Sequence, residues 1–186
     1  MAFKKSNTTL QDCFLIEPQV FWDERGFFME TYSTVEFEKI GISSLFVQDN
    51  HSKSNKWVLR GLHFQTQKPQ AKLVRVAAGS VYDVVVDLRK DSTTYGKWEG
   101  FLLSGDNKNM LFVPRGFAHG FLTLEDDTEF LYKCDDIYDP SNESGIIWND
   151  SALSIDWNKH PTILPEISKK DRILPDFASY NRNPIF

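Results

Sequence analysis

The stretch Val81-Tyr82-Asp83-Val84-Val85-Val86-Asp87-Leu88 is a nearly continuous run of β-branched residues. β-branched side chains pack well on a pleated surface, so this run predicts a strand. Residues 72–77, just upstream, predict another strand, and Gly79 marks a turn between the two.

More predicted strands follow at short intervals, and they cover residues 98–103, 110–113, 117–124 and 130–134. Turn signals separate them, namely Ser104-Gly105-Asp106-Asn107, Pro114-Arg115-Gly116 and Glu125-Asp126-Asp127. Many short strands at this spacing indicate a β-sandwich or barrel. The aromatic content of 14%, with 15 Phe, also favours strands over helices.

Upstream, residues 13–20 predict an edge strand that Pro18 interrupts. The clearest short helix follows, because Ser33 and Glu36 have the spacing of a capping box and Gly41 provides a stop. Helices are therefore expected to be few, short and peripheral.

The chain of 186 residues has no internal repeat and no long linker, so we expect one domain spanning 1–186. The polar, Pro-punctuated segment of about 150–186 is expected to wrap the barrel. One short helix is predicted within it, near Lys169.

A net charge of −5 argues against a nucleic-acid duplex or an anionic membrane surface as partner. Cys13 and Cys134 form no CxxC pair, so they are interpreted as reduced thiols and indicate a cytoplasmic location. Residues 1–7 carry two lysines without a following apolar run, and no signal peptide or transmembrane segment is expected.

The stretch Arg60-Gly61-Leu62-His63-Phe64-Gln65 holds the strongest chemical signal. A neutral imidazole accepts a proton near pH 7, and nearby cations such as Arg60 hold phosphates or stabilise an oxyanion. For His63 alone, the simpler interpretation is a hydrogen-bonded core histidine in a strand.

His63 and His119 together also suggest a metal site. The residue two after His63 is Gln65, however, and the chain contains no His-x-His pair, so three good ligands are hard to find. We expect no metal. The absence of a Gly-rich dinucleotide loop or Walker loop likewise predicts no redox or nucleotide cofactor.

Cations at strand ends and in turns can converge at one mouth of an antiparallel barrel and bind a pyrophosphate there. They are Arg25, Arg60, Lys72, Arg75, Arg115 and Lys170. Taken singly, each is better explained as a solvated surface charge. Tyr132 is a candidate general acid, for which core packing is the alternative.

These pieces together resemble one family, the dTDP-4-dehydrorhamnose 3,5-epimerases. The resemblance rests on Leu59-Arg60-Gly61-Leu62-His63-Phe64-Gln65, on Val113-Pro114-Arg115-Gly116-Phe117-Ala118-His119-Gly120-Phe121, and on residues 23–30, 46–52, 72–76, 83–89, 132–134, 148–150 and 155–157. It runs from about residue 10 to about residue 175. Several motifs that keep one order and spacing are more specific than any single motif.

The resemblance implies a cupin-like antiparallel β-barrel, or jelly roll, that works as a homodimer without metal or cofactor. It implies inversion of C3 and C5 of dTDP-4-dehydro-6-deoxy-D-glucose by proton abstraction next to the 4-keto group, in dTDP-L-rhamnose biosynthesis. The implied ligand is a dTDP-4-keto-6-deoxy sugar.

The resemblance also implies roles by position. His63 matches the base, Asp171 the carboxylate paired with it, Tyr132 the proton donor on the opposite face of the sugar, and Lys72 the cation beside the ketone oxygen. The matching substrate contacts are Arg25, Phe28, Glu30, Gln48, Asp49, Asn50, Arg60, His119, Tyr138, Glu143 and Lys170.

Departures from the family pattern are mild: Phe64 stands where Tyr is frequent, residues 134–138 replace a more Thr/Tyr-rich run, and the tail past Asp171 matches poorly. Sugar specificity is therefore open, and a mono-epimerase acting at C3 or C5 alone on a related nucleotide-activated 4-keto sugar is the nearest alternative. A metal-dependent cupin oxygenase and a non-catalytic sugar-nucleotide-binding barrel are two further alternatives.

Overall fold

A computed structural model describes residues 3–157 and 164–186. Its strands are β1 (Phe3–Asn7), β2 (Phe14–Pro18), β3 (Val20–Asp23), β4 (Gly26–Met29), β5 (Gln48–Ser54), β6 (Val58–Gln65), β7 (Lys72–Ala78), β8 (Ser80–Asp87), β9 (Trp98–Ser104), β10 (Met110–Val113), β11 (Phe117–Thr123), β12 (Thr128–Cys134), β13 (Glu143–Gly145) and β14 (Glu166–Ile167). The helices are α1 (Thr34–Lys39) and α2 (Phe177–Asn181), with 3₁₀ turns at Pro140–Asn142 and Asp171–Ile173. The predicted all-β class with short peripheral helices is confirmed.

The strands form two large antiparallel sheets. The first has the order β1-β2-β10-β7-β12-β5, and the second has the order β13-β6-β11-β8-β9, with β14 added parallel to β6. Strands β3 and β4 form a separate hairpin. Side chains from both large sheets meet in one apolar core, which includes Val74, Val76, Val85, Phe121 and Phe130.

Strand β8 is buried on both faces, which explains the run of residues that predicted it. Val81 and Val85 belong to the core between the sheets. Val84 and Val86 point the other way, to a second cluster that includes Trp157 and Tyr180 of the C-terminal segment. A strand covered on both sides has no need of alternating polar residues.

Helix α1 covers part of the outer face of the first sheet through Phe37, which is fully buried. Ser33 caps the helix as predicted, accepting a hydrogen bond from the Glu36 backbone N–H at 3.5 Å. The short helix predicted near Lys169 is present as a 3₁₀ turn that begins at Asp171, and α2 follows later. Residues 158–163 of the predicted wrapping segment lie outside the described residues.

The sequence did not predict β5, which is a polar strand reading Gln48-Asp49-Asn50-His51-Ser52-Lys53-Ser54. One of its faces lines a cavity and the other carries charged side chains, so neither face needs apolar residues. None of the described helices is both long and apolar enough to cross a membrane.

Candidate functional site

A cavity of about 630 Å³ opens between the two large sheets. Its walls come from β5, β7 and β12 of the first sheet and from β6, β11 and β13 of the second. Residues 166–171 contribute a further wall beside β6. Groups that are far apart in sequence therefore face one cavity.

A β-bulge brings Arg60 and His63 into this cavity together. His63 pairs with His119, and Arg60 pairs with Phe121, so two residues of β6 oppose one residue of β11. Without the bulge, residues three apart on a strand would point to opposite faces. Gly61 makes the bulge possible: its φ is +125°, and a Cβ there would lie 2.5 Å from the Cα of Gly120.

The base candidate His63 is hydrogen-bonded to Asp171, with Nε2 2.8 Å from Oδ1. The backbone N–H of Gly61 donates to the other oxygen of this carboxylate at 3.3 Å. Burial raises the pKa of the Asp171 carboxyl, but the hydrogen bonds from His63 and Gly61 oppose burial, and this pKa lies below its ordinary value. An ionised carboxylate only accepts hydrogen bonds, so it fixes the proton of neutral His63 on Nε2 and leaves the Nδ1 lone pair to act as base.

Tyr132 enters the cavity from the first sheet, whereas His63 enters from the second. In the sheet it lies opposite Val74 on one side and Asn50 on the other. Burial raises the pKa of its phenol, so the hydroxyl keeps its proton at neutral pH. The cavity thus has an imidazole on one wall and a proton-donating phenol on the facing sheet.

Lys72 lies on the same wall as Tyr132, opposite Cys134 in the β7–β12 register. Burial lowers the pKa of its ammonium group because the surroundings solvate the charge poorly. Negative charge developing in the cavity would therefore be strongly stabilised by Lys72.

A second histidine–aspartate pair lies deeper. His119 Nε2 is 3.0 Å and 2.8 Å from the two carboxylate oxygens of Asp83, and the Asp83 side chain is fully buried. Burial raises the pKa of the Asp83 carboxyl, against the opposing effect of His119. The His119 ring stacks on Phe130, with centroids 6.1 Å apart, so its orientation is fixed from two sides.

Arg60 contacts the hydroxyl of Ser54 through Nε at 3.3 Å and Nη2 at 3.0 Å. Within the described part of the chain, no carboxylate forms an ion pair with it. A guanidinium that faces a cavity without a carboxylate partner suits an anionic ligand such as a phosphate.

The mouth of the cavity carries a cluster of Tyr138, Glu143 and Lys170, which we call the rim cluster. The Tyr138 hydroxyl donates to Glu143, and Lys170 forms an ion pair with the same carboxylate oxygen. The hydrogen bond to Glu143, with some burial, raises the pKa of Tyr138 to about 12.

The structure gathers most of the residues named from the sequence around this one cavity. They are His63, Tyr132, Asp171, Lys72, Gln48, Asn50, Arg60, His119, Tyr138, Glu143 and Lys170. Four others do not line it. Arg25 and Phe28 are exposed on the β3–β4 hairpin, Glu30 follows that hairpin, and Asp49 pairs with Lys133 on the outer face of the first sheet.

Sequence reasoning missed Asp83, Ser54 and Gln65 as parts of this site. Asp83 left a visible signal, since it interrupts the valine run at an inward-facing position between Val81 and Val85. Ser54 left none, because a serine at the end of a polar strand is ordinary. Among the described residues, no three His, Cys, Asp or Glu side chains converge as metal ligands would.

Residues 7–179 match the family model described as dTDP-4-dehydrorhamnose 3,5-epimerase. The epimerase of that name from Salmonella typhimurium (strain LT2) is 54% identical over 170 residues, which make up 90% of this chain and 92% of the relative.

Two solved structures are similar throughout. A dTDP-4-dehydrorhamnose 3,5-epimerase from Bacillus anthracis, with TDP and PPi bound, is 48% identical with a TM-score of 0.90, covering 95% of this chain and 100% of the other. A dTDP-6-deoxy-D-glucose-3,5-epimerase from Legionella pneumophila, in complex with dTDP-4-keto-L-rhamnose, is 45% identical with a TM-score of 0.89, covering 94% and 92%. The predicted cupin-like barrel is thereby confirmed.

Proposed function

The chain belongs to the dTDP-4-dehydrorhamnose 3,5-epimerase family and has its activity in dTDP-rhamnose biosynthesis, and we propose that His63, Lys72 and Tyr132 carry out the proton transfers. The reaction inverts C3 and C5 of dTDP-4-dehydro-6-deoxy-D-glucose to give dTDP-4-dehydro-L-rhamnose. The observation that supports these roles best is one cavity with the His63–Asp171 pair on one sheet and Tyr132 on the other. The oxygenase alternative does not fit this family.

The reaction begins when Nδ1 of His63 takes the proton from the carbon next to the ketone. The electron pair of the broken C–H bond moves into a C=C bond, and the carbonyl π pair moves onto oxygen to form an enolate. Asp171 stabilises the imidazolium that results, because its carboxylate is ionised and already bonded to Nε2.

The enolate is the high-energy species, and Lys72 stabilises its oxygen. Tyr132 then donates its phenolic proton to the carbon from the face opposite His63, which inverts the centre and leaves a phenolate. Proton exchange with solvent restores Tyr132 and His63. The raised pKa of Tyr132 makes its phenolate basic, so the Tyr132 phenol is readily re-protonated.

Binding of the dTDP part is assigned to the cations and polar groups around the mouth. Arg60, whose contact with Ser54 leaves Nη1 available, suits a phosphate oxygen. His119 and the rim cluster border the path from phosphate to sugar. These contacts would place C3 and C5 between His63 and Tyr132.

Homodimer assembly and a cytoplasmic location are also part of the proposal. The β3–β4 hairpin exposes Phe21, Trp22, Phe27 and Phe28, an apolar surface that suits burial against a second copy. Arg25 and Phe28 lie on that hairpin and do not line the cavity of their own chain. In the proposed dimer they would contact substrate bound in the cavity of the second copy. Sedimentation should give twice the mass of one chain. The two cysteines are free and buried, as befits a reducing compartment.

Deuterium incorporation from D₂O into dTDP-4-dehydro-6-deoxy-D-glucose tests the function. We expect label at both C3 and C5 and a product of L-rhamno configuration by NMR. Label at one carbon alone would favour the mono-epimerase. Tight dTDP binding without any label would favour a non-catalytic binding protein.

A further inference from the structure

The segment 135–139, which follows β12, carries Tyr138 to the rim of the cavity, and three glutamine side chains hold its backbone. The Gln48 side-chain oxygen accepts from Tyr138 N–H at 2.9 Å, and the Gln65 side-chain oxygen accepts from Asp139 N–H at 2.6 Å. The Gln70 amide donates to the Asp136 carbonyl at 2.8 Å. Backbone N–H groups and a backbone carbonyl of this segment are therefore hydrogen-bonded to glutamine side chains.

Gln65 has the greatest need of hydrogen-bond partners among the three glutamines, because it is only 3% exposed. Its oxygen binds Asp139 N–H, while its amide donates to the carbonyls of Lys68 at 3.3 Å and Ile137 at 3.5 Å. A buried amide is costly unless its polar atoms are bonded, so an apolar side chain would fill this space at lower cost. What Gln65 adds over an apolar residue is a fixed position for residues 137–139.

That position reaches the substrate path through the rim cluster. Asp139 N–H follows Tyr138 directly, so the bond to Gln65 fixes the backbone from which the Tyr138 ring projects. Glu143, which accepts from Tyr138, lies opposite Gln65 in the β13–β6 register. Lys170, bonded to the same carboxylate, precedes Asp171, the partner of His63.

We propose that Gln65 is a positioning residue, which through its hydrogen bonds to residues 137–139 places Tyr138 against the diphosphate end of the bound dTDP-sugar. This rests on the proposed function, which assigns the rim cluster to that ligand. Gln65 acts on binding, while His63 and Tyr132 are left in place. Losing one hydrogen bond of this kind should weaken dTDP binding by about tenfold.

The test compares Gln65→Met, which keeps the length of the side chain but removes the amide, with Gln67→Met, the same change at an exposed position two residues after the end of β6. For Gln65→Met we expect the dissociation constant of dTDP, measured by calorimetry, and the KM for the sugar to rise about tenfold, with kcat within about threefold of the parent protein. Gln67→Met should match the parent in all three.

Tyr138→Ala separates positioning from a general structural role. If Gln65 acts through Tyr138, then adding Gln65→Met to Tyr138→Ala weakens dTDP binding by less than about twofold, since coupled sites are not additive. Full tenfold weakening in that background would overturn the proposal, as would unchanged dTDP binding by Gln65→Met or a loss confined to kcat.

Gln70→Met provides the same test should Gln65→Met fail to fold, because it removes the bond to Asp136 on the same segment. It should weaken dTDP binding, by less than Gln65→Met, and do so only while Tyr138 is present. Unchanged binding by a folded Gln70→Met would overturn the proposal. Failure of the proposed function is a separate result: the parent protein would then leave C3 and C5 unlabelled in D₂O.

Discussion

Two histidine–aspartate pairs lie side by side in this barrel and differ in what surrounds them. His63 and His119 are direct partners in the β6–β11 register, and each holds a carboxylate at 2.8 Å. The His63 side chain is 32% exposed, whereas that of His119 is 8% exposed. Two pairs with the same chemistry thus have different access to the cavity.

Their carboxylates also differ. Asp171 receives a hydrogen bond from the Gly61 backbone as well as from His63, and its pKa is lowered. Asp83 is fully buried, and its pKa is raised. An accessible imidazole on an ionised carboxylate can take up and release a proton, while a buried pair is better suited to a fixed hydrogen bond.

The largest effect expected from this contrast is on kcat. His63→Asn removes the proposed base and should lower kcat by about 10²–10⁴-fold. His119→Asn removes a side chain that lines the cavity and is proposed to contact the ligand, so it should mainly raise KM and change kcat by less than about tenfold. Steady-state kinetics on both variants, with thermal melts as folding controls, check this. Equal kcat losses would mean that the two pairs are not functionally distinct.

The matched substitutions Asp171→Asn and Asp83→Asn should differ less in kcat than the two histidine variants do. Asp171→Asn no longer fixes the tautomer or stabilises the imidazolium, so we expect kcat to fall by about 10–100-fold. Burial raises the pKa of the Asp83 carboxyl. Asp83→Asn puts a neutral amide of the same shape in its place, so kcat should change by less than about threefold. A larger loss for Asp83→Asn would assign proton transfer to the deeper pair.

The pH dependence should show which cation supports the enolate. Burial lowers the pKa of Lys72 below its ordinary 10.5, so kcat/KM should begin to fall on the basic side below that pH, as Lys72 loses its proton. Burial raises the pKa of Tyr132 above its ordinary 10.0, so a fall in kcat/KM that is centred below pH 10.0 is not caused by Tyr132. Lys72→Arg should move the basic limb upward, since a guanidinium keeps its proton. If the basic limb of the Lys72→Arg profile stays at the same pH, Lys72 is not the cation that stabilises the enolate oxygen.

The smallest expected change concerns the bulge that sets His63 beside Arg60. Gly61 and Gly26 have nearly the same φ, +125° and +123°, but only at Gly61 would a Cβ meet another backbone, whereas at Gly26 no atom lies within 4 Å. Gly26→Ala should therefore show backbone strain alone, about 1 kcal/mol, and Gly61→Ala about 1–3 kcal/mol more. Urea unfolding of both variants measures this. Equal losses would show that the close approach to Gly120 is unimportant.

The sequence could predict strands β7 to β12, since β-branched and apolar runs between turn residues mark them locally. It could not predict the bulge: simple alternation sends Arg60 and His63 to opposite faces, and only the register with β11 reveals otherwise. The His63–Asp171 bond is hidden for a related reason, because it joins residues 108 positions apart. Strand β5 is hidden because a strand between a polar cavity and solvent lacks the apolar pattern that identifies most strands.

The most direct measurement follows deuterium from D₂O into C3 and C5 of dTDP-4-dehydro-6-deoxy-D-glucose with His63→Asn and Tyr132→Phe. Without the base the C–H bond breaks about 10²–10⁴-fold more slowly, so His63→Asn should lose label and inversion together to that extent. With the base intact and the opposing acid removed, Tyr132→Phe should still label the sugar while inversion is lost. Label at the parental rate with His63→Asn, or loss of label with Tyr132→Phe, would contradict a base and an acid acting from opposite sheets.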